Sequence, residues 1–140
     1  MENNSFKLTL KSLSINESFA RNVISCFALR LNPSISEITD VKTAVSEAIT
    51  NCIVHAYKNV VGDIEMHGWI EENRLHIKII DKGVGIENIN LALEPFYTTS
   101  AEDERSGMGF TIIKSFMDEF NVVSKPGEGT EVYMCKVIGT

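Results

Sequence analysis

"VSEAITNCIVHA", Val45 to Ala56, says two things about the chain that contains it. Its apolar residues recur at helical intervals and are numerous enough for a buried helix. Glu47, Asn51 and His55 recur every fourth residue along the same stretch. At ~100° per residue, four-residue steps drift only ~40° each, so the three lie along one shallow stripe. An acid, an amide oxygen and an imidazole aligned in this way can take a proton, bind a hard metal ion and add a polar contact. A stripe that merely faces water gives the same pattern on an ordinary amphipathic helix. The surrounding sequence has to decide.

Working outward, "NPSISEITDVKTA" leads into this helix, with Pro33 marking the break and Ser34 and Glu37 spaced as a capping box. One helix is therefore predicted from there through Tyr57. Upstream, "SINESFARNVISCFALRL" starts in the same way, with Ser14 and Glu17 at capping-box spacing. "FKLTLKS", Phe6 to Ser12, alternates apolar and polar residues and reads as a strand. Downstream, "IEMHGWIEE" and "RLHIKIID" are strands joined by a turn at Glu72 and Asn73. "KGVGIENINLALEPFYTTSAEDERSG" has no sustained period; a loop of that length in a small domain is usually functional. "MGFTIIKSFMDEF" is helical, and "NVVSK", "PGEG" and "TEVYMCKV" form a closing hairpin. The order β-α-α-β-β-loop-α-β-β predicts an α+β fold, a two-layer sandwich in which helices cover one face of a mostly antiparallel sheet. No repeat or linker divides residues 1–140, so a single domain is expected.

Composition narrows the chemistry. The chain has 140 residues, 44% hydrophobic and 23% charged, within the range of an ordinary globular domain. Its net charge of −6, without a dense basic run, argues against direct contact with nucleic acid. A nucleotide held by backbone amides and a metal ion is not excluded by that balance. Cys26, Cys52 and Cys135 are odd in number and widely spaced, matching neither a disulfide framework nor a zinc site. With no leader-like segment and no apolar run of membrane-spanning length, the expectation is a cytoplasmic protein that does not enter the membrane.

Three further motifs carry chemistry. In "IIDKGVGI" an apolar strand delivers Asp81 into a loop where Gly83 and Gly85 let the backbone approach a ligand; a plain Asp-Gly turn looks the same. A carboxylate at a strand end can accept a hydrogen bond from an exocyclic amine, the feature that distinguishes adenine. The Gly-x-Gly spacing lacks the third glycine and βαβ setting of a dinucleotide fold. In "ERSGMGF", Gly107 and Gly109 fall where the long loop meets the next helix, a place suited to an anion, with Arg105 adjacent. Glycines also serve as ordinary caps there. "PGEGTEVYM" is a hairpin turn with Thr130 at the start of the last strand.

Taken in order, these boxes resemble the Bergerat-fold ATP-binding domains, the superfamily of gyrase B, the heat-shock chaperone ATPases and the sensor histidine kinases. The resemblance spans nearly the whole chain. The chain is too short for the transducer domain of a topoisomerase or chaperone, and no helical hairpin with a phosphoacceptor histidine precedes the boxes. "NESFAR", "VSEAITN" and "ERSGMGFTIIKSFMDEF" are similar to the stand-alone serine kinases that act as anti-sigma factors.

That resemblance implies a set of roles. Glu47 would be the general base; a glutamate with a reference pKa near ~4.3 is ionised at neutral pH. Asn51 would bind Mg2+, which bridges the ATP phosphates. Asp81 would read the adenine amine with help from Thr130, while Gly83 and Gly85 give the nucleotide room. Gly107, Met108 and Gly109 would offer amides to phosphates, and Arg105 would add charge. Residues from about Ile86 to Ser106 would form a lid. Arg21 would recognise partners: a sigma factor, and an anti-anti-sigma factor phosphorylated on serine. His55 is assigned a structural or supporting role, and Lys82, where the family favours a smaller or acidic residue, a solvated one. A homodimer is the family expectation, with Phe6 to Lys11 as an edge strand able to pair across a two-fold axis. Two other readings remain: a nucleotide-gated binding module that phosphorylates nothing, and the catalytic half of a split histidine kinase.

Overall fold

A computed structural model describes residues 4–86 and 109–139 of the chain. Strand β1 (Asn4–Lys11) leads into helix α1 (Asn16–Ala28), a short 3-10 turn (Leu29–Leu31) and helix α2 (Ile35–Asn51). A π-helical turn (Cys52–Ala56) follows directly, then strands β2 (Asp63–Glu71) and β3 (Arg74–Asp81). After the undescribed stretch come helix α3 (Gly109–Phe116) and strands β4 (Glu119–Lys125) and β5 (Gly129–Val137). The strands form one sheet in the order β1-β2-β3-β5-β4, and every neighbouring pair is antiparallel. α2 lies between α1 and α3 on one face of that sheet. This is the α+β two-layer arrangement expected from the order of elements.

The core follows from the two periods in the sequence. Ile24 on α1 and Val41, Val45 and Ile49 on α2 are fully buried against alternate residues of the strands, including Ile64, Met66, Ile77, Ile79 and Met134. Each such side chain contributes about 1.5–3 kcal/mol relative to exposure. These contacts fix the height and rotation of α2 over the sheet, which positions everything that follows. Among the described residues no helix is long and apolar enough to cross a membrane.

The two predicted capping boxes have different fates. At α2, Ser34 Oγ accepts from the Glu37 amide at 3.0 Å and Glu37 Oε1 accepts from the Ser34 amide at 2.8 Å. Glu37 Oε2 also takes the Gly139 amide at 2.9 Å, tying the chain's last residues to the start of this helix. At α1 the box does not form. The N-cap position is Ile15, whose side chain has no acceptor to offer, and Glu17 pairs instead with Arg21 at 3.3 Å. The connection from β1 explains this. It is only four residues long and turns through Leu13, whose carbonyl accepts the Asn16 amide, so the helix starts too late for the Ser14 hydroxyl to cap it.

Two other boundaries depart from expectation. The last helix, expected from its sequence to run to Phe120, ends at Phe116. Asp118 is drawn into the sheet: its amide donates to the Cys135 carbonyl at 2.8 Å and its Oδ2 accepts from the Val137 amide at 2.7 Å. The opening stretch is not one continuous α-helix either. After Asn51 the Tyr57 amide reaches back five residues to the Cys52 carbonyl at 3.0 Å. Such a turn accommodates one extra residue, so His55 falls behind the line drawn through Glu47 and Asn51.

Candidate functional site

β3 ends in Asp81, and the sheet register sets Thr130 of β5 directly opposite. Asp81 is only 5% exposed, which is unusual for a carboxylate. Burial pushes its pKa above the ordinary carboxylate value, while hydrogen bonds from Gly83, Cys52 and Thr130 pull the other way. Its two oxygens differ in company. Oδ1 accepts from the Gly83 amide at 2.9 Å and from the Thr130 amide at 3.2 Å. Oδ2 accepts from the Cys52 thiol at 3.5 Å. Burial, and next the neighbouring carboxylate, hold the Cys52 pKa well above its usual value, so the thiol stays protonated and remains a donor.

The loop after Asp81 is fastened at almost every residue. The Lys82 amide donates to Tyr57 Oη at 2.6 Å, and that hydroxyl donates onward to the Asp63 carbonyl at 2.7 Å. The Val84 amide donates to the Ala56 carbonyl at 3.1 Å, while the Val84 carbonyl accepts from Gly127 at 2.7 Å. The Ile86 amide donates to Ser124 Oγ at 2.8 Å. Residues 82–86 are thus strapped between the π turn and the β4–β5 hairpin. Gly83 and Gly85 serve this close approach: a Cβ on Gly83 would collide with the Ala56 carbonyl, and one on Gly85 (φ 76°) with the Lys125 carbonyl. Ser124 Oγ donates to the Gly129 carbonyl at 2.9 Å and lies 2.8 Å from Thr130 Oγ1. With its own proton committed there, Ser124 receives that of Thr130, whose hydroxyl keeps lone pairs for accepting.

Asn51, the last residue of α2, is half-buried, and its Oδ1 is a buried acceptor with no hydrogen-bond partner among the described residues. Buried acceptors are nearly always satisfied, so an open amide oxygen in a polar place suits a hard cation. Among the described residues no group of three or more His, Cys, Asp or Glu could form a protein cage for a metal. An ion at Asn51 would take most of its ligands from phosphate and water, the usual habit of Mg2+. Glu47, one turn earlier, is half-buried and lines a polar cleft of about 390 Å3 between α1 and α2. Glu17, Arg21 and Lys42 line the same cleft, so Arg21 and Glu47 open onto one space.

Asp81, Gly83 and Thr130 are therefore joined by direct hydrogen bonds, and Asn51 adjoins them in sequence through Cys52. Gly109 is the first residue of α3. Arg105, Gly107 and Met108, and nearly all of the expected lid, lie outside the described residues. Lys82 has an exposed side chain and contributes only its amide, and His55 sits half-buried in the π turn. Sequence reasoning missed Cys52, Tyr57 and Ser124. Nothing in a buried-looking Cys, a Tyr at a helix end or a Ser in a strand marks such a task.

Comparison with known proteins bears on the fold and the family. The family described as histidine kinase-like ATPase domain matches residues 13–136. The anti-sigma F factor of Caldanaerobacter subterraneus subsp. tengcongensis is 53% identical over 137 residues, covering 98% of this chain and 96% of the relative. That of Clostridium acetobutylicum is 48% identical over 136 residues, covering 97% and 95% respectively. Among solved structures, the RsbU and RsbW domains of a Mycobacterium tuberculosis protein superpose with a TM-score of 0.70 at 17% identity. That match covers 96% of this chain and 32% of the solved one. A histidine kinase domain from Erythrobacter litoralis gives a TM-score of 0.55 at 20% identity, covering 74% of this chain and 45% of the solved one. At those identities the solved structures speak for the fold alone, whereas the curated relatives match almost end to end. The chain belongs to the histidine kinase-like ATPase domain family and, within it, groups with the anti-sigma F factors.

Proposed function

We propose that this chain is an ATP-dependent serine kinase that also acts as an anti-sigma factor, holding a sigma factor inactive and phosphorylating a serine of an anti-anti-sigma factor. Family membership supports the use of ATP. The observation that carries the site reading is Asp81: a buried carboxylate fixed by two backbone amides on one oxygen, its other oxygen meeting, among the described residues, only a weak thiol donor. Such a group is suited to accepting the exocyclic amine of adenine. Thr130, with lone pairs to spare, assists beside it.

In this reading Glu47 draws the proton from the substrate serine as its oxygen attacks the terminal phosphorus of ATP and ADP departs. Its place in the cleft shared with Arg21 gives a protein segment held at Arg21 a route to that carboxylate. Asn51 Oδ1 would hold Mg2+, which supplies charge neutralisation at the phosphates. Arg105 and the amides of Gly107, Met108 and Gly109 complete the phosphate contacts. The protein works in the cytoplasm as a homodimer, for which β1, at the sheet edge, offers its outer side.

The test is incubation of the purified chain with radiolabelled ATP, Mg2+ and candidate partners. Acid-stable label on a serine of the partner supports the proposal. Acid-labile label on histidine would replace it with a split histidine kinase. ATP-dependent capture of a sigma factor with no label on any partner would leave only a nucleotide-gated binder.

A further inference from the structure

The Cys52 thiol has no part in the chemistry above, yet it is the sole side chain among the described residues that hydrogen-bonds the Asp81 carboxylate. It sits at the first position of the π turn, 4% exposed, immediately after Asn51. The carboxylate torsion of an aspartate is broad and two-fold, so donors on one oxygen leave the plane of the group free to rock. Both backbone amides that reach Asp81 fall on Oδ1. Among the described residues, the contact that fixes Oδ2 comes from the thiol at 3.5 Å.

We infer that Cys52 is a positioning residue for nucleobase recognition: by donating its S–H to Asp81 Oδ2, it sets the carboxylate plane so that the remaining Oδ2 lone pair meets the exocyclic amine of adenine. This rests on the assignment of Asp81 as the adenine acceptor. An ionised carboxylate oxygen accepts about two hydrogen bonds, so one from the thiol leaves one for the base. A buried, protonated thiol is inert as a nucleophile, so a positioning role is the chemistry open to it. The π turn contributes directly, because the same turn that starts at Cys52 sends the Ala56 carbonyl to Val84 and clamps the loop carrying Gly83.

The experiment is titration calorimetry on the full chain with two non-hydrolysable triphosphates, one bearing adenine and one bearing unsubstituted purine, which lacks the amine. Two variants are compared. Cys52→Ala removes the donor, and Cys52→Val removes it while filling the space. Both are expected to weaken the adenine nucleotide about fivefold and to leave the purine nucleotide within about twofold. Thermal unfolding is followed in parallel, and should one variant fail to fold, the other carries the comparison. Equal weakening of both nucleotides, unchanged binding of both, or recovery of adenine affinity in Cys52→Val would each overturn the inference, since packing rather than hydrogen bonding would then be at work. The unsubstituted chain separates this from the underlying assignment. If it does not prefer adenine over purine, Asp81 is not the adenine acceptor, and that assignment falls before Cys52 is at issue.

Discussion

Replacing Asp81 with asparagine changes one heavy atom and reverses the polarity of the group that, on the proposed function, is offered to adenine. The Gly83 and Thr130 amides require an acceptor, so the oxygen of the substituted amide must face them and its NH2 group must take the place of Oδ2. A donor then confronts the donor on the base. Loss of a charge-assisted hydrogen bond costs about 1.5–3 kcal/mol, and each 1.4 kcal/mol is tenfold, so affinity for an adenine nucleotide should fall about 10- to 150-fold. Stability should move differently. The folded pKa of Asp81 is raised, mainly by burial, so the native state holds the proton more tightly than the unfolded chain. Stability attributable to Asp81 is therefore lost as pH rises above the ordinary value near ~3.9, and ionised Asp81 is a net cost at neutral pH. Asp81→Asn removes that cost, so at pH 7 the melting temperature should hold or rise while binding collapses. Calorimetry with a non-hydrolysable ATP analogue and a thermal melt read the two effects separately. Affinity within about twofold of the unsubstituted chain would refute the assignment. A binding loss accompanied by an equally large drop in stability would show that the carboxylate is structural instead.

Glu47→Gln should preserve ATP binding and lower phosphotransfer about 10²- to 10⁴-fold, the usual worth of a general base; unchanged labelling of the substrate serine rules it out. Ser34→Ala should cost about 1 kcal/mol by opening the capping box, seen as a lower midpoint in urea, with no change in nucleotide affinity. Hydrogen bonds, first that from the Ser34 amide, hold the Glu37 pKa below its ordinary value; its stabilisation is complete above the unfolded value near ~4.3 and is lost as pH falls through and below it. An unfolding series from pH 6 downward should therefore show a shallower acid loss for Glu37→Gln than for the unsubstituted chain. Gly83→Ala should destabilise by about 1–3 kcal/mol, because the new methyl group forces residues 82–86 away from Ala56; an unaltered denaturation midpoint would contradict the close approach described here.

The parts legible in the sequence are those where short-range periodicity and burial demand the same thing. Alternation in β2 and β3 and the apolar spacing of α2 gave the layers, and Asp81 at the end of an apolar strand landed where the sheet register brings Thr130 to it. Where local and tertiary demands compete, reading failed. Ser14-x-x-Glu17 and Ser34-x-x-Glu37 share one pattern, yet only the second caps, because Ser34 is extended at ψ 166° while Ile15 takes the cap position at α1. "FMDEF" continues a helical pattern, but Asp118 can satisfy two backbone groups of β5 only by leaving the helix. The π turn left no sign in composition; what accompanies it is a tertiary contact, the Ala56 carbonyl accepting from the Val84 amide. Cys52, Tyr57 and Ser124 were invisible for the same reason: each is defined by what it touches across 25 to 38 residues of chain.

The position of β3 and β5 in the sheet has a consequence for lifetime. Both strands have neighbours on each side, with β1 and β4 taking the two outer places. Amides in such inner strands exchange with solvent mainly through whole-domain opening, whereas rims fray on their own. Asp81 and Thr130 stand where those inner strands end, and each is still paired on both sides, Asp81 with Ile64 and Thr130, Thr130 with Asp81 and Ser124. On the proposed reading, turnover of a bound nucleotide would then be governed by other segments, working against a base-reading end that the sheet holds on both sides.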